Sequence, residues 1–119
     1  MQTKLKLQLG GKERLFTFGI HLFSELLDDL DMDYSEMLQA TSKNIFKYTP
    51  IIMYHSLKNT CFLEDKSVDF TIKDIHKWLN EEDDMGVSLL TEFIQVFFGT
   101  NDNKTPIEDN GDDDKKKIE

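Results

Sequence analysis

The stretch DLDMDYSE, residues 29–36, contains alternating aspartates, and their spacing is the one in this sequence that resembles a metal-binding motif. Asp29, Asp31 and Asp33 occupy the first, third and fifth positions of a calcium-binding loop, where carboxylate oxygens are suitable ligands for Ca²⁺. Tyr34 stands where that loop needs a glycine, and Ala40 stands where it needs a bidentate glutamate. We therefore interpret the stretch as the exposed end of one helix followed by the cap of the next.

Histidine and cysteine, the other residues that could bind a metal or act as nucleophile or base, are scattered. His21, His55 and His76 fall in three different predicted helices, and none has a second histidine or cysteine one helical turn away. Cys61, the single cysteine, ends an apolar stripe and is interpreted as a structural thiol. The sequence therefore predicts no enzyme, no metal site and no cofactor.

Charge and hydrophobicity narrow the class of partner. The net charge of −9 argues against nucleic acid or an anionic membrane as the main partner, because both repel a surface of this sign. No apolar run approaches the roughly 20 residues that span a bilayer. With one cysteine and no secretory signal at the start, we expect an intracellular protein that binds a basic or apolar protein surface.

Hydrophobic periodicity predicts an α+β, mostly helical fold. Leu and Phe alternate with polar residues on both sides of Gly10-Gly11, which predicts a β-hairpin over residues 3–18. An isolated hairpin is marginal in water, so we expect it to pack on a bundle of four to five short helices in a single globular domain, residues 1–99. The predicted helices span about 19–31, 33–41, 49–62, 71–82 and 84–98, and residues 100–119 are expected to be a disordered, acidic tail.

Local signals predict how these elements begin. Asp33 with Glu36, and Thr71 with Asp74, have the spacing of a capping box, and Thr49 before Pro50 is typical of a helix start. At the junction FTFGIHLF we expect Gly19, which lacks a Cβ, to let the second strand turn directly into the first helix. That joint would bring an apolar series into one core: Phe16, Phe18, Ile20, Phe23 and Leu27.

Two groups of residues are candidates for binding a protein. The first is the apolar stripe of the last helix, above all Phe93, Phe97 and Phe98, where adjacent Phe97 and Phe98 cannot face the same way. The second is an acidic band at the end of the first helix: Asp28, Asp29 and Asp31. The alternatives are that the stripe belongs to the core and that the acids serve solubility.

The order of these elements resembles the small tail assembly chaperones of long-tailed bacteriophages, particularly those of Gram-positive hosts. The resemblance covers residues 1 to about 99: hairpin, FTFGIHLFSELL junction, PIIMYHSLKNT helix, capped FTIKDIHKWLNE helix and phenylalanine-rich last helix, followed by the charged tail. The motifs that carry it are Tyr54, Leu57 and Lys58 on the middle helix and the Thr71-opened helix with Trp78 and Leu79.

The resemblance implies a non-catalytic function. Such chaperones are thought to coat the long, helical tape measure protein and to help tail tube protein polymerise around it, and they self-associate. It also implies a protein of the host cytoplasm that is absent from the mature virion. An acidic chain with exposed apolar surface is suited to a basic, amphipathic helical client.

A second hypothesis belongs to a different class. An acidic regulator or inhibitor could cover the basic, nucleic-acid-binding surface of a host or phage enzyme. Salt distinguishes the two hypotheses, because a contact made mainly between charges weakens strongly as salt rises, whereas capture of an apolar helix face survives moderate salt.

Overall fold

The computed structural model describes residues 3–99 and confirms an α+β, mostly helical fold. Two antiparallel strands come first and five helices follow. The elements are β1 Lys4–Leu9, β2 Lys12–Thr17, α1 Ile20–Leu30, α2 Tyr34–Lys43, α3 Ile45–Leu63, α4 Ile72–Asn80 and α5 Val87–Phe97. The predicted disordered tail, residues 100–119, lies outside the described residues.

The hairpin turns tightly at its two glycines. Both have positive φ, 66° at Gly10 and 83° at Gly11, as a two-residue hairpin loop requires. The register pairs Leu9 with Lys12 next to the loop. A Cβ on Gly10 would lie 2.6 Å from the ring of Trp78, so this glycine also makes room for helix α4 to pack.

The core is built from phenylalanines of the hairpin and of helix α5. The ring of Phe93 meets those of Phe16 and Phe18 edge-on, with centroids 5.4 and 5.7 Å apart. Phe97 also lies against Phe18, at 5.8 Å. Helix α5 therefore packs its phenylalanine rings against the apolar face of the hairpin.

Polar side chains of the central helix α3 donate hydrogen bonds to oxygen atoms of strand β2. The Ser56 hydroxyl donates to the backbone oxygen of Thr17 at 2.9 Å, and the Thr60 hydroxyl donates to that of Leu15 at 2.7 Å. Asn59 Nδ2 donates to the Thr17 hydroxyl at 2.7 Å. Because buried backbone oxygens need partners, these bonds fix the position of α3 along the hairpin.

Both predicted capping boxes are present. Asp33 accepts a hydrogen bond from the Glu36 N–H at 2.8 Å, and the Glu36 carboxylate accepts one from the Asp33 N–H at 2.9 Å. Thr71 and Asp74 exchange the same pair of bonds at the start of α4. These caps satisfy N–H groups that the first helical turn leaves free.

The predicted start of α3 is wrong. The helix begins at Ile45, and the Asn44 side chain caps it by accepting from the Lys47 N–H at 3.2 Å. Pro50 lies inside the helix and is buried, although a proline there removes one N–H donor and crowds the carbonyl four residues earlier. The asparagine cap therefore sets the start of α3. The predicted start of α5 is also wrong: this helix begins at Val87, three residues later than predicted.

Two expectations about the junction are also wrong. Gly19 has φ 169°, extended backbone that any residue adopts, and no atom lies within 4 Å of where its Cβ would be. Ile20 is 88% exposed, because the buried face of α1 centres on Leu22 and Leu26. At about 100° per residue, Ile20 points away from Leu22 at the very start of the helix.

Within residues 3–99, none of the helices is both long and apolar enough to cross a membrane.

Candidate protein-binding site

The phenylalanines of helix α5 are mostly part of the core. Phe93 is fully buried, and Phe97 is 2% exposed against Phe18, Phe23 and Phe93. Their assignment to a partner surface is therefore corrected: neither ring can reach a partner while the domain is folded. Phe98 is half-buried and packs against the core.

The acidic band at the end of α1 is only partly free. Asp28, Asp29 and Asp31 are all exposed, and Asp29 Oδ2 lies 2.9 Å from Nε2 of the buried His55. Asp31 closes the helix in the left-handed conformation at φ 55°. Acids at a helix C-terminus oppose the helix dipole, so this placement does not serve the stability of α1.

Exposed apolar side chains instead gather where the start of α1 meets the end of α3. The ring of His21 stacks on that of Phe62, with centroids 3.7 Å apart and an angle of 12° between the planes. Phe62 is nevertheless 57% exposed. Exposed Ile20 and Leu63 adjoin this pair in the chain, and exposed Val68 follows in the next loop. We call these five residues the α1–α3 patch: Ile20, His21, Phe62, Leu63 and Val68.

A cleft of about 230 Å³ opens within this patch. Its walls come from α1, from α3 and from the loop after α3, and they include His21, Leu22, Glu25, His55, Asn59, Phe62 and Val68. His55 belongs both to the cleft and to the pair with Asp29, so the acidic end of α1 borders the cleft. Lys58 and Lys66 also line the cleft, so ammonium groups as well as carboxylates lie beside its apolar surface.

Two buried polar atoms of the cleft residues have no hydrogen-bond partner within the described chain. They are Nδ1 of His55 and Oδ1 of Asn59. The other polar atom of each side chain is bonded, His55 Nε2 to Asp29 and Asn59 Nδ2 to Thr17. Most buried polar atoms in folded proteins are paired, so two orphans beside one cleft indicate a place for a ligand or for water.

A second group of exposed apolar residues lies at the opposite end of α3. Phe46 and Met85 are both exposed and border one shallow cavity with Pro50 and His76. We call this the α3–α5 patch: Phe46, Pro50, His76 and Met85. Met85 directly follows four acidic residues in the chain, Glu81, Glu82, Asp83 and Asp84, so acidic side chains adjoin this patch as well.

The described chain holds no group of three or more metal-ligating side chains. Burial, and secondarily the charge of Asp69, raises the pKa of the Cys61 thiol. Because the thiolate is the reactive form, Cys61 is a poor nucleophile near neutral pH.

Comparison with known proteins gives no relative for this chain: neither a protein-family model, nor a curated protein, nor a solved structure matches it.

The sequence did not single out Ile20, Phe62 or Val68 as binding residues. Phe62 and Leu63 are an apolar pair directly before the charged loop EDKSVD, which is a weak signal that the helix ends with apolar residues in solvent. Whether such a pair is covered depends on where distant elements pack, and the structure leaves it uncovered.

Proposed function

We propose that this chain is a non-catalytic tail assembly chaperone that holds an amphipathic helix of the tape measure protein on its α1–α3 patch. The observation that supports this most is the exposed apolar surface around Phe62 with an acidic edge beside it. The proposal agrees with the resemblance in element order described above.

The shape and chemistry of the patch suit a helix. An amphipathic helix binds by laying apolar residues of one face into a groove. The cleft between α1 and α3 supplies the groove, and exposed Ile20 and Leu63 are chain neighbours of its lining residues His21 and Phe62. A single exposed apolar side chain such as Ile20 is ordinary, whereas a group of exposed apolar residues around one cleft is typical of a binding site.

Charge favours a basic client. The chain carries a net charge of −9, and Asp28 and Asp31 are exposed at the acidic end of α1. A client with lysine or arginine on its polar face would be attracted to this edge while its apolar face enters the groove. Tail tube protein would then assemble around the coated client.

Self-association would use a different surface. The α3–α5 patch is apolar at Phe46 and Met85, and exposed residues of both signs lie near it in the chain, Lys77 on α4 and Glu81 just after it. A surface that carries both charges can pair with a copy of itself. Copies joined in this way could line up along one long client.

The test is co-expression of the full chain with the tape measure protein of the same genome, followed by affinity capture. We expect a soluble complex with several copies of this chain per client, retained at moderate salt. Phe62→Asp should abolish capture, whereas Phe46→Asp, the matched change on the other patch, should leave the client bound and reduce the number of copies.

Other outcomes would contradict the proposal. If the client stays insoluble and this chain elutes alone, the chaperone proposal is wrong. If the chain instead captures a basic enzyme and releases it as salt rises, the acidic regulator described above becomes the better account.

A further inference from the structure

We propose that the free edge of strand β1 binds an extended segment of a partner protein in which apolar and acidic residues alternate. The segment would add a third strand to the hairpin, as peptides do at other exposed sheet edges. This surface is separate from the two apolar patches, so the inference goes beyond the proposed function and does not rest on it.

The register of the hairpin shows which backbone groups of β1 point outward. The Phe18 N–H donates to the backbone oxygen of Thr3 at 3.0 Å. Directly bonded pairs alternate along an antiparallel ladder, so Leu5 and Leu7 continue this bonded series. The residues between them therefore direct their N–H and C=O groups away from β2. We call these residues the β1 edge: Lys4, Lys6 and Gln8.

Helix α3 closes the opposite edge of the hairpin, on β2. Hydroxyls of α3 donate to the backbone oxygens of Leu15 and Thr17, which point outward from β2. These two residues are the register partners of the two lysines of the β1 edge. Within residues 3–99 no third strand pairs with β1, and all three residues of the β1 edge are exposed. The β1 edge therefore offers the backbone donors and acceptors that a partner strand uses.

The two faces of β1 differ in chemistry and so define the side chains that suit the partner. Side chains alternate along a strand, so the lysines lie on one face, while Leu5, Leu7 and Leu9 lie on the other. Leu7 and Leu9 are buried, but Leu5 is only half-buried. A third strand would place its apolar residues beside Leu5 and its charged residues beside the lysines. The partner segment should therefore alternate apolar and acidic residues.

Charge favours such a strand over other occupants of the β1 edge. Residues 1–19 contain four basic residues and one acid, a net charge of +3, in a chain whose net charge is −9. If two copies of β1 paired in the register that uses the whole β1 edge, their Lys6 side chains would lie directly opposite each other, which is destabilising. Residues 100–119 are acidic, but they are rich in Asn, Asp and Gly, which are depleted in strands.

The experiment uses the full chain and short synthetic peptides in which valine alternates with glutamate or with lysine. Nitrogen-15 spectra follow the titration residue by residue, which suits the weak binding of a single short strand. We expect the glutamate peptide to bind at least about fivefold more tightly than the lysine peptide, because opposite charges on neighbouring strands stabilise the pair and like charges destabilise it. Hydrogen exchange of the Lys4, Lys6 and Gln8 amides should slow, since these N–H groups gain partners.

Charge reversal at exposed positions tests the same contact without disturbing the core. The double variant Lys4→Glu, Lys6→Glu should bind the lysine peptide more tightly than the glutamate peptide. The matched double variant Lys43→Glu, Lys47→Glu, at exposed positions where α2 meets α3, should keep the original preference.

Three results would overturn the inference. They are equal affinities for the two peptides, unchanged exchange at the β1 edge, and slow exchange of these amides in the free chain. The last result would mean that the edge is already paired, with a second copy if protection grows with protein concentration and with the same chain if it does not. The proposed function is tested at Phe62 and Phe46, so either proposal can fail while the other stands.

Discussion

Phenylalanines of helix α5 and the phenylalanine near the end of α3 have opposite surroundings. Phe93 and Phe97 pack against phenylalanines of the hairpin, whereas Phe62 is 57% exposed and stacks on the ring of His21. The residue type is the same, so the difference comes from the neighbours that the fold provides. The buried rings hold the domain together, and the exposed ring is free to meet a partner.

Replacing one buried and one exposed phenylalanine with aspartate should give the largest difference in the free energy of unfolding. Phe97→Asp places a carboxylate in an apolar core, so we expect it to lower the free energy of unfolding by at least about 4 kcal/mol or to prevent folding. Phe62→Asp should change it by less than about 1 kcal/mol, because the charge stays in water. Urea denaturation followed by circular dichroism measures both. Similar losses for the two variants would show that Phe62 is part of the core after all.

A smaller effect should come from the polar contacts that position α3. Ser56→Ala leaves the buried backbone oxygen of Thr17 without its donor, so the free energy of unfolding should fall by about 1–3 kcal/mol. Ser42→Ala on exposed α2 is the matched control, with an expected change within about 0.5 kcal/mol. If the two variants were equally stable, the bond to Thr17 would contribute nothing to the placement of α3.

The smallest expected effect is on the rate at which the thiol of Cys61, the residue before Phe62, is alkylated. Burial, and then the charge of Asp69, raises the pKa of its thiol, so the thiolate fraction at pH 8 is lower in the folded chain than in the unfolded one. We expect iodoacetamide to react more slowly with folded protein than with protein in urea, and Asp69→Asn to speed the folded reaction. Equal rates in both states would mean that the last turn of α3 is exposed on all sides.

Local patterns allowed much of this fold to be predicted from sequence. The hairpin turn at Gly10-Gly11 and the capping boxes at Asp33 and Thr71 depend on residues within a few positions of each other, and all three are present. The predicted start of α3 was wrong because Asn44 and Pro50 are both local signals of a helix start. The helix begins after the Asn44 cap and includes Pro50.

The candidate site was less predictable, because it depends on distant elements. Whether Ile20 or Phe97 is buried is decided by how α1 and α5 sit on the hairpin, which no short pattern specifies. The pair between Asp29 and His55 joins residues 26 positions apart, so the sequence showed an acidic band without its partner. The two buried polar atoms without a partner, Nδ1 of His55 and Oδ1 of Asn59, likewise become visible only when the side chains around them are in place.

Photo-cross-linking of the assembled complex tests the central claim most directly. A photoreactive phenylalanine analogue replaces Phe62 in one preparation and Phe46 in another, and the complex with the tape measure protein is irradiated. We predict that the probe at position 62 links to the tape measure protein, while the probe at position 46 links to a second copy of this chain. Cross-links to the tape measure protein from position 46 and none from position 62 would contradict the assignment of the α1–α3 patch.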